Sequence, residues 1–166
     1  MTIGLSGGID SAVTAAMYAH ILGPENILLL NLPSQFNSDT TKNLAYRLAK
    51  NLGANYAIIP ISHSYEHTVD QLSTTPITNL GNKESFTLEL STLVKENILA
   101  KENIQARDRG ARIIAAASAA FGGAFSCNSN KAETAVGYAT FYGDIAGALA
   151  MLGDLWKHQV YGLGKY

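Results

Sequence analysis

Thr2-Ile3-Gly4-Leu5-Ser6-Gly7-Gly8-Ile9-Asp10-Ser11 carries a short apolar run straight into a glycine turn and then into a helical pattern. A strand ending in such a turn and leading into a helix gathers several backbone N–H groups into one concavity. The positive end of the helix dipole points the same way. Adjacent glycines let the backbone approach an oxyanion closely and adopt positive φ without steric cost. Ser6 and Ser11 add hydroxyl donors. Asp10 brings a carboxylate into a phosphate site, where it repels the anion unless a divalent cation sits between them, so it points to Mg²⁺. The stretch lacks the GxxxxGK(S/T) of a Walker loop and the GxGxxG of dinucleotide sites. The competing reading is a plain strand-to-helix turn with a capping Ser or Asp.

The segments that follow place this turn in an α/β pattern. Ala12, Val13, Ala16, Met17 and Ile21 recur at helical steps up to Gly23-Pro24. Ile27 to Leu32 is a continuous apolar run of strand length, as expected for a parallel strand buried on both faces. Asn37 or Ser38 is placed to cap a second helix, with Leu44, Ala45, Leu48, Ala49 and Leu52 inward and Gly53 as its stop. Tyr56 to Pro60 reads as a third strand. Strand–helix–strand–helix–strand predicts a three-layer, doubly wound, mostly parallel sheet flanked by helices.

Further along, residues 62–84 combine a short helix (Ser64 to Leu72) with a polar loop. Ser85 to Leu99 reads as a helix with Phe86, Leu90, Leu93 and Val94 inward, and a further helix runs from Asn103 to Ala120. Ala124 to Cys127 is the fourth strand candidate. A polar turn, a Gly- and aromatic-rich stretch to Gly153, and a helix from Leu155 complete the chain. No internal repeat or linker interrupts it, so residues 1–166 read as a single domain.

Composition narrows the function classes. With 47% hydrophobic residues, 15% charged and a formal net charge of −1, the chain has no nucleic-acid-binding signature. No apolar stretch is long enough to span a bilayer. The single cysteine, Cys127, excludes an internal disulfide framework and suits a reducing cytoplasm. His63 and His67 stand four apart without a cysteine or an HExxH pattern, and read as solvated rather than zinc-binding. Tyr138, Phe141 and Tyr142 read as core packing rather than a base-stacking shelf.

Ser6-Gly7-Gly8-Ile9-Asp10-Ser11 resembles the SGGxDS signature of the N-type ATP pyrophosphatases, the PP-loop family. Glu102-Asn103-Ile104-Gln105-Ala106-Arg107-Asp108-Arg109 is similar to the ENxQAR-R element of NAD synthetases. Asn130-Lys131-Ala132-Glu133 followed by Gly137 to Asp144 resembles their NKxE and GYxTxYGD stretch, and Leu152 to Lys157 and Leu32-Pro33-Ser34 also fit. The resemblance covers nearly the whole chain in the right order and looks most like the synthetase domain of the glutamine-dependent type.

What the resemblance implies is an ATP-dependent amidation of deamido-NAD to NAD through an adenylated intermediate, releasing AMP and pyrophosphate. It implies ATP contacts from Ser6, Gly7, Gly8, Asp10, Ser11, Asn128 and Lys157. Deamido-NAD contacts fall to Asn103, Arg107 and Asp144, and Mg²⁺ to Asp10 and Glu133. Asn128 stands where the family has an ATP-contacting threonine. Arg107 and Arg109 have a competing reading as helix ion-pair partners of Glu102 or Asp108. The resemblance also implies a homodimer, ammonia as co-substrate, and a glutaminase domain or subunit to supply it. The family's upstream amidase domain and C-terminal segment have no counterpart here, so the chain is expected to be truncated at both ends relative to the family, either as a fragment of a longer protein or as a shortened paralogue. Two alternatives stay open: another PP-loop ligase or amidotransferase, and a non-catalytic ATP-binding module.

Overall fold

The computed structural model describes residues 1–34 and 39–166. Three strands, β1 (Thr2–Gly4), β2 (Leu28–Asn31) and β3 (Asn55–Ile58), form a parallel sheet in the order β1-β2-β3. Thr2 pairs with Leu28, and Leu28 with Asn55. Helices α1 (Ile9–Leu22) and α2 (Asp39–Leu52) make the crossovers. The expected α2 caps, Asn37 and Ser38, lie outside the described residues.

On the far side of β1 lies β6 (Ser126–Cys127). The Thr2 N–H donates to the Ala124 carbonyl at 2.9 Å, and Thr2 bridges Phe125 in parallel sense. β6 in turn pairs in parallel with β7 (Leu149–Ala150). The spatial order is therefore β3-β2-β1-β6-β7. Successive connections run outward from β1 in one direction and then return to its other side, which is the doubly wound arrangement and puts the switch point between β1 and β6.

Side-chain alternation along the strands divides the core between two faces. Ile3, Leu5 and Leu29 pack with Ala15, Tyr18 and Ala19 of α1 and Ala45 and Ala49 of α2. Leu30 and Leu32 point the other way, against Ile61 and Ile113. A third cluster, Val13 with Leu152 and Val160, clamps α1 against α8 (Lys157–Lys165). Fully burying a Leu or Ile contributes about 1.5–3 kcal/mol, so these clusters are what hold the glycine turn in place.

This double use of α1 explains a difference from the expected helix face. Ser11, Thr14, Ala15 and Tyr18 are buried, whereas Ala16 and Ile21 are exposed. A helix covered on two sides does not show a single clean stripe. Leu44 of α2 is likewise exposed rather than inward.

The larger departure lies in the middle of the chain. α3 spans Ser62–Thr74, and β4 (Ile77–Thr78) and β5 (Ser85–Phe86) form a small antiparallel hairpin where a helix was expected to start. Phe86, expected inward, is 56% exposed, and Leu93 is also exposed. A shorter α4 (Leu90–Glu96) precedes a continuous helical run: α5 (Ile98–Arg107), a π-helical segment (Asp108–Ile114) and α6 (Ala115–Ala120). Asn97 caps that run, its side chain accepting from the Ala100 N–H at 3.1 Å. The apolar residues of 85–94 repeat at helical spacing, but Thr87 is β-branched and the hairpin removes the first turn.

Candidate functional site

The glycine turn lies at the carboxyl end of β1, against the switch point. Gly7 takes φ 89°, a left-handed conformation that suits glycine. Gly8 caps α1, whose first N–H groups have no intrahelical acceptors. The turn's hydroxyls close it on itself. The Ser6 N–H donates to Ser11 Oγ at 3.2 Å, the Gly8 N–H donates to Ser6 Oγ at 3.2 Å, and the two hydroxyl oxygens lie 3.1 Å apart. These bonds are long for hydrogen bonds. Shorter, charge-assisted bonds to an anion would exceed them in strength.

Asp10 sits at the centre of a polar cluster drawn from three distant segments. Its Oδ1 accepts from Asn130 Nδ2 at 2.9 Å, and its Oδ2 is ion-paired with Lys157 Nζ. The same Nζ lies 4.0 Å from Glu133 Oε1. Asp10, Glu133 and Lys157, each expected at the ATP site, are thus brought together. Among the described residues no three His, Cys, Asp or Glu side chains gather as a metal-binding group. Two carboxylates converging on one cationic point still fit Mg²⁺, which is commonly bound by one or two carboxylates plus phosphate oxygens.

Asn130, to which no role was given in the sequence, organises this cluster. It is fully buried and caps α7 (Lys131–Val136), accepting from the Ala132 and Glu133 N–H groups, while Glu133 Oε2 accepts from its own N–H. That reciprocal pair is a capping box, and Asn-x-x-Glu was its readable signal. Asn130→Ala is expected to cost about 1–3 kcal/mol, combining a lost cap with a carboxylate deprived of its donor. Urea denaturation measures it, and a cost below about 0.5 kcal/mol would contradict the assigned role.

Asn128 Nδ2 donates to the Gly4 carbonyl at 2.8 Å, and Asn31 Nδ2 donates to the Leu5 carbonyl at 2.9 Å. Two amides therefore cap the end of β1 from opposite sides. Each leaves a buried Oδ1 with no hydrogen-bond partner. Both residues line a cavity of about 490 Å³ together with Ser6, Asp10, Ser11 and Glu133.

A second cavity, of about 900 Å³, adjoins it along α5 and is lined by Asn103, Lys101, Ala139 and Thr140 among others. Arg109, Tyr138 and Asp144 line both. Asn103 Oδ1 accepts from Thr140 Oγ1 at 2.6 Å, and Asp144 Oδ1 accepts from the Thr140 N–H at 2.6 Å. Arg107 is exposed, donates from Nε to the Phe141 carbonyl at 3.2 Å, and lies outside the lining of both cavities. The competing reading, helix ion pairs of Arg107 or Arg109 with Glu102 or Asp108, has no such pair among the described residues. Asp108 pairs instead with Arg112 at 2.5 Å and accepts from Ser64 Oγ at 2.5 Å. Tyr138, Phe141 and Tyr142, read as core, are 75%, 71% and 74% exposed. They ride on a loop that crosses the surface, where an aromatic cluster in sequence carries no burial signal.

That loop is held by a close backbone approach. A Cβ added to Gly110, in the π-helical segment, would lie 2.3 Å from the Gly143 carbonyl oxygen. Gly110→Ala is expected to destabilise by about 1–3 kcal/mol through overpacking and to push the 140–144 loop off α5. Chemical denaturation together with amide exchange at Thr140 reads both effects. An unchanged midpoint and unchanged protection would count against this account.

Parallel sheet, switch point and glycine turn together define the class: an α/β nucleotide-binding fold. The chain belongs to the NAD synthase family, whose model matches residues 1–166. It is 40% identical over 164 residues to a glutamine-dependent NAD(+) synthetase of Synechocystis sp., covering 99% of this chain and 26% of that one. A solved structure of glutamine-dependent NAD+ synthetase from Acinetobacter baumannii, in complex with adenosine diphosphate, superposes with a TM-score of 0.85 at 30% identity. It covers 100% of this chain, which spans 28% of that one. NMN synthetase from Francisella tularensis gives a TM-score of 0.81 at 31% identity, covering 99% of this chain and 60% of that one. The chain spans about a quarter of the length of the curated relatives it matches. Among the described residues, no helix is long and apolar enough to cross a membrane.

Proposed function

We propose that this domain amidates deamido-NAD to NAD at the expense of ATP, through an acyl-adenylate, with release of pyrophosphate and AMP. The observation that carries the reading is the junction of two cavities. One is lined by Ser6 and Ser11 of the glycine turn with Asp10 and Glu133, beside which Lys157 pairs with Asp10, and the other runs along Asn103.

Ser6, Gly7, Gly8 and Ser11 would cradle the β,γ-pyrophosphate with N–H and hydroxyl donors, and Lys157 would turn from Asp10 to the phosphates. Asn128 would offer its unpartnered Oδ1 to the nucleotide. Asp10 and Glu133 would hold Mg²⁺, which when bound neutralises phosphate charge. Asn103 and Asp144 would position deamido-NAD, and Arg107, outside both linings, would act through the loop whose Phe141 carbonyl it holds. The carboxylate oxygen attacks the α-phosphorus, the bond to the β-phosphate oxygen breaks, and pyrophosphate leaves with the electron pair. Ammonia then attacks the acyl carbon, the bond to the AMP oxygen breaks with AMP taking the electron pair, and the nitrogen loses a proton to solvent to leave the amide. Positioning and charge neutralisation supply most of the rate in such transfers.

A homodimer is part of the proposal. Ile98, Leu99 and Tyr138 are exposed at the larger cavity, apolar area that a second copy would cover. Ammonia from an associated glutaminase domain and a reducing cytoplasm for the buried thiol of Cys127 complete it. The test combines protein, ATP, Mg²⁺, ammonia and either deamido-NAD or its mononucleotide counterpart, and follows AMP and the amide. ATP binding without pyrophosphate release would favour a non-catalytic module. Turnover of another acceptor alone would overturn the NAD assignment.

A further inference from the structure

Arg109 is a cation in an expensive position. It is half-buried, and burial lowers its pKa, with the negative charge of Asp108 a smaller, opposing influence. Asp108 is already committed to Arg112 and Ser64. Among the described residues no carboxylate lies within ion-pair distance of Arg109. A desolvated charge without a counter-ion is costly, and an anion arriving from outside removes that cost.

Its position says which anion. Arg109 lines both cavities, and in the smaller one the other charged lining residues are Asp10, Glu133 and Asp144, all acidic. Nε donates to the Leu32 carbonyl at 2.9 Å, which anchors the plane of the guanidinium to the end of β2. The fork end, Nη1 and Nη2, carries the remaining four N–H donors, in a geometry that suits carboxylate and phosphate oxygens.

We propose that Arg109 is a catalytic residue of the adenylation step, bridging the substrate carboxylate and the α-phosphate where the two cavities meet. The inference rests on the amidation reading and deepens it. Two anions must approach to form the acyl–phosphate bond, and a fixed cation between them screens their repulsion. As the bond to the β-phosphate breaks, negative charge on the α-phosphate oxygens is met by the same fork. Being anchored at Nε beforehand, the guanidinium needs no reorganisation at that moment.

The test compares the full wild-type chain with Arg109→Met and Arg109→Lys. It measures single-turnover pyrophosphate release at saturating ATP, Mg²⁺ and deamido-NAD, the KM of each substrate, and the melting midpoint. Arg109→Met is expected to slow release by about 100-fold with each KM within about threefold, a loss in the chemical step rather than in binding. Added guanidinium ion recovers part of the rate in Arg109→Met, and Arg109→Lys retains an intermediate one. A rate within about threefold of wild type overturns the assignment, as does a loss carried by KM. A loss with a depressed melting midpoint and no guanidinium recovery makes Arg109 a structural strut and overturns it as well. If the wild type itself releases no pyrophosphate with any carboxylate acceptor, the amidation reading falls and this inference falls with it.

Discussion

Asp10→Asn is expected to lower pyrophosphate release from ATP by about 10³-fold or more while leaving the fold intact. The substitution keeps shape and size, so the Oδ1 contact with Asn130 survives and the buried face of α1 is unchanged. What is lost is charge. Asp10 is the residue on which Asn130, Lys157 and the start of α1 converge. A neutral amide there removes half of the carboxylate pair that would hold Mg²⁺. It also frees Lys157 from its ion-pair partner. Stability measured by urea denaturation should move by less than about 1 kcal/mol, since the pair is partly exposed. Rate and stability are therefore expected to separate. Activity within tenfold of wild type would show that the carboxylate is not part of the phosphate site. A large stability loss would show that its role is structural.

How much of this was legible in the sequence depends on how far apart the partners lie along the chain. The first strand, glycine turn and first helix are contiguous, and their local chemistry named the loop, its donors and its carboxylate. The parallel sheet followed from three apolar runs separated by helical spacing. Asn130 was harder. Its contact with Asp10 spans 120 residues of separation, and only the Asn-x-x-Glu cap was visible locally. Arg109 reaches the Leu32 carbonyl across 77 residues, so sequence left its choice between an ion pair and a site open. Asn31 was hidden inside an apolar strand, although a polar residue in such a run was itself the signal. Within 85–99 only the start departs from the expected helix, because a two-residue strand pairing at Ser85–Phe86 outweighs the helical spacing there, while Leu90–Glu96 is helical. β7 leaves no signal in the sequence, because two residues of strand in an Ala- and Gly-rich stretch carry no periodicity. The exposed aromatics at 138–142 show the limit of composition, since burial belongs to the surface a loop crosses rather than to the residues it contains.

Lys157→Met sets the other half of the proposed ATP cluster against the same scale. The methionine keeps the length and apolar stem of the side chain where α8 begins, and Val160, one turn on, stays packed against Val13 and Leu152. In the free protein Lys157 neutralises Asp10 and stands 4.0 Å from Glu133. Because the ammonium is partly solvent-exposed, its removal should cost about 1 kcal/mol or less of stability. In the nucleotide complex the same charge would face phosphate oxygens, where exclusion of water makes it worth far more, and turnover is expected to fall by about 10³-fold. A third readout separates this from simple misfolding. With the ammonium gone, Asp10 and Glu133 lose the cation that both approach, so Mg²⁺ alone should raise the melting midpoint of the variant more than that of wild type. Binding to the folded state alone stabilises it by mass action, and the variant offers the more electronegative site. Equal Mg²⁺ shifts in both proteins would mean that the two carboxylates do not share a cation. A turnover loss of less than tenfold would place Lys157 outside the phosphate contacts.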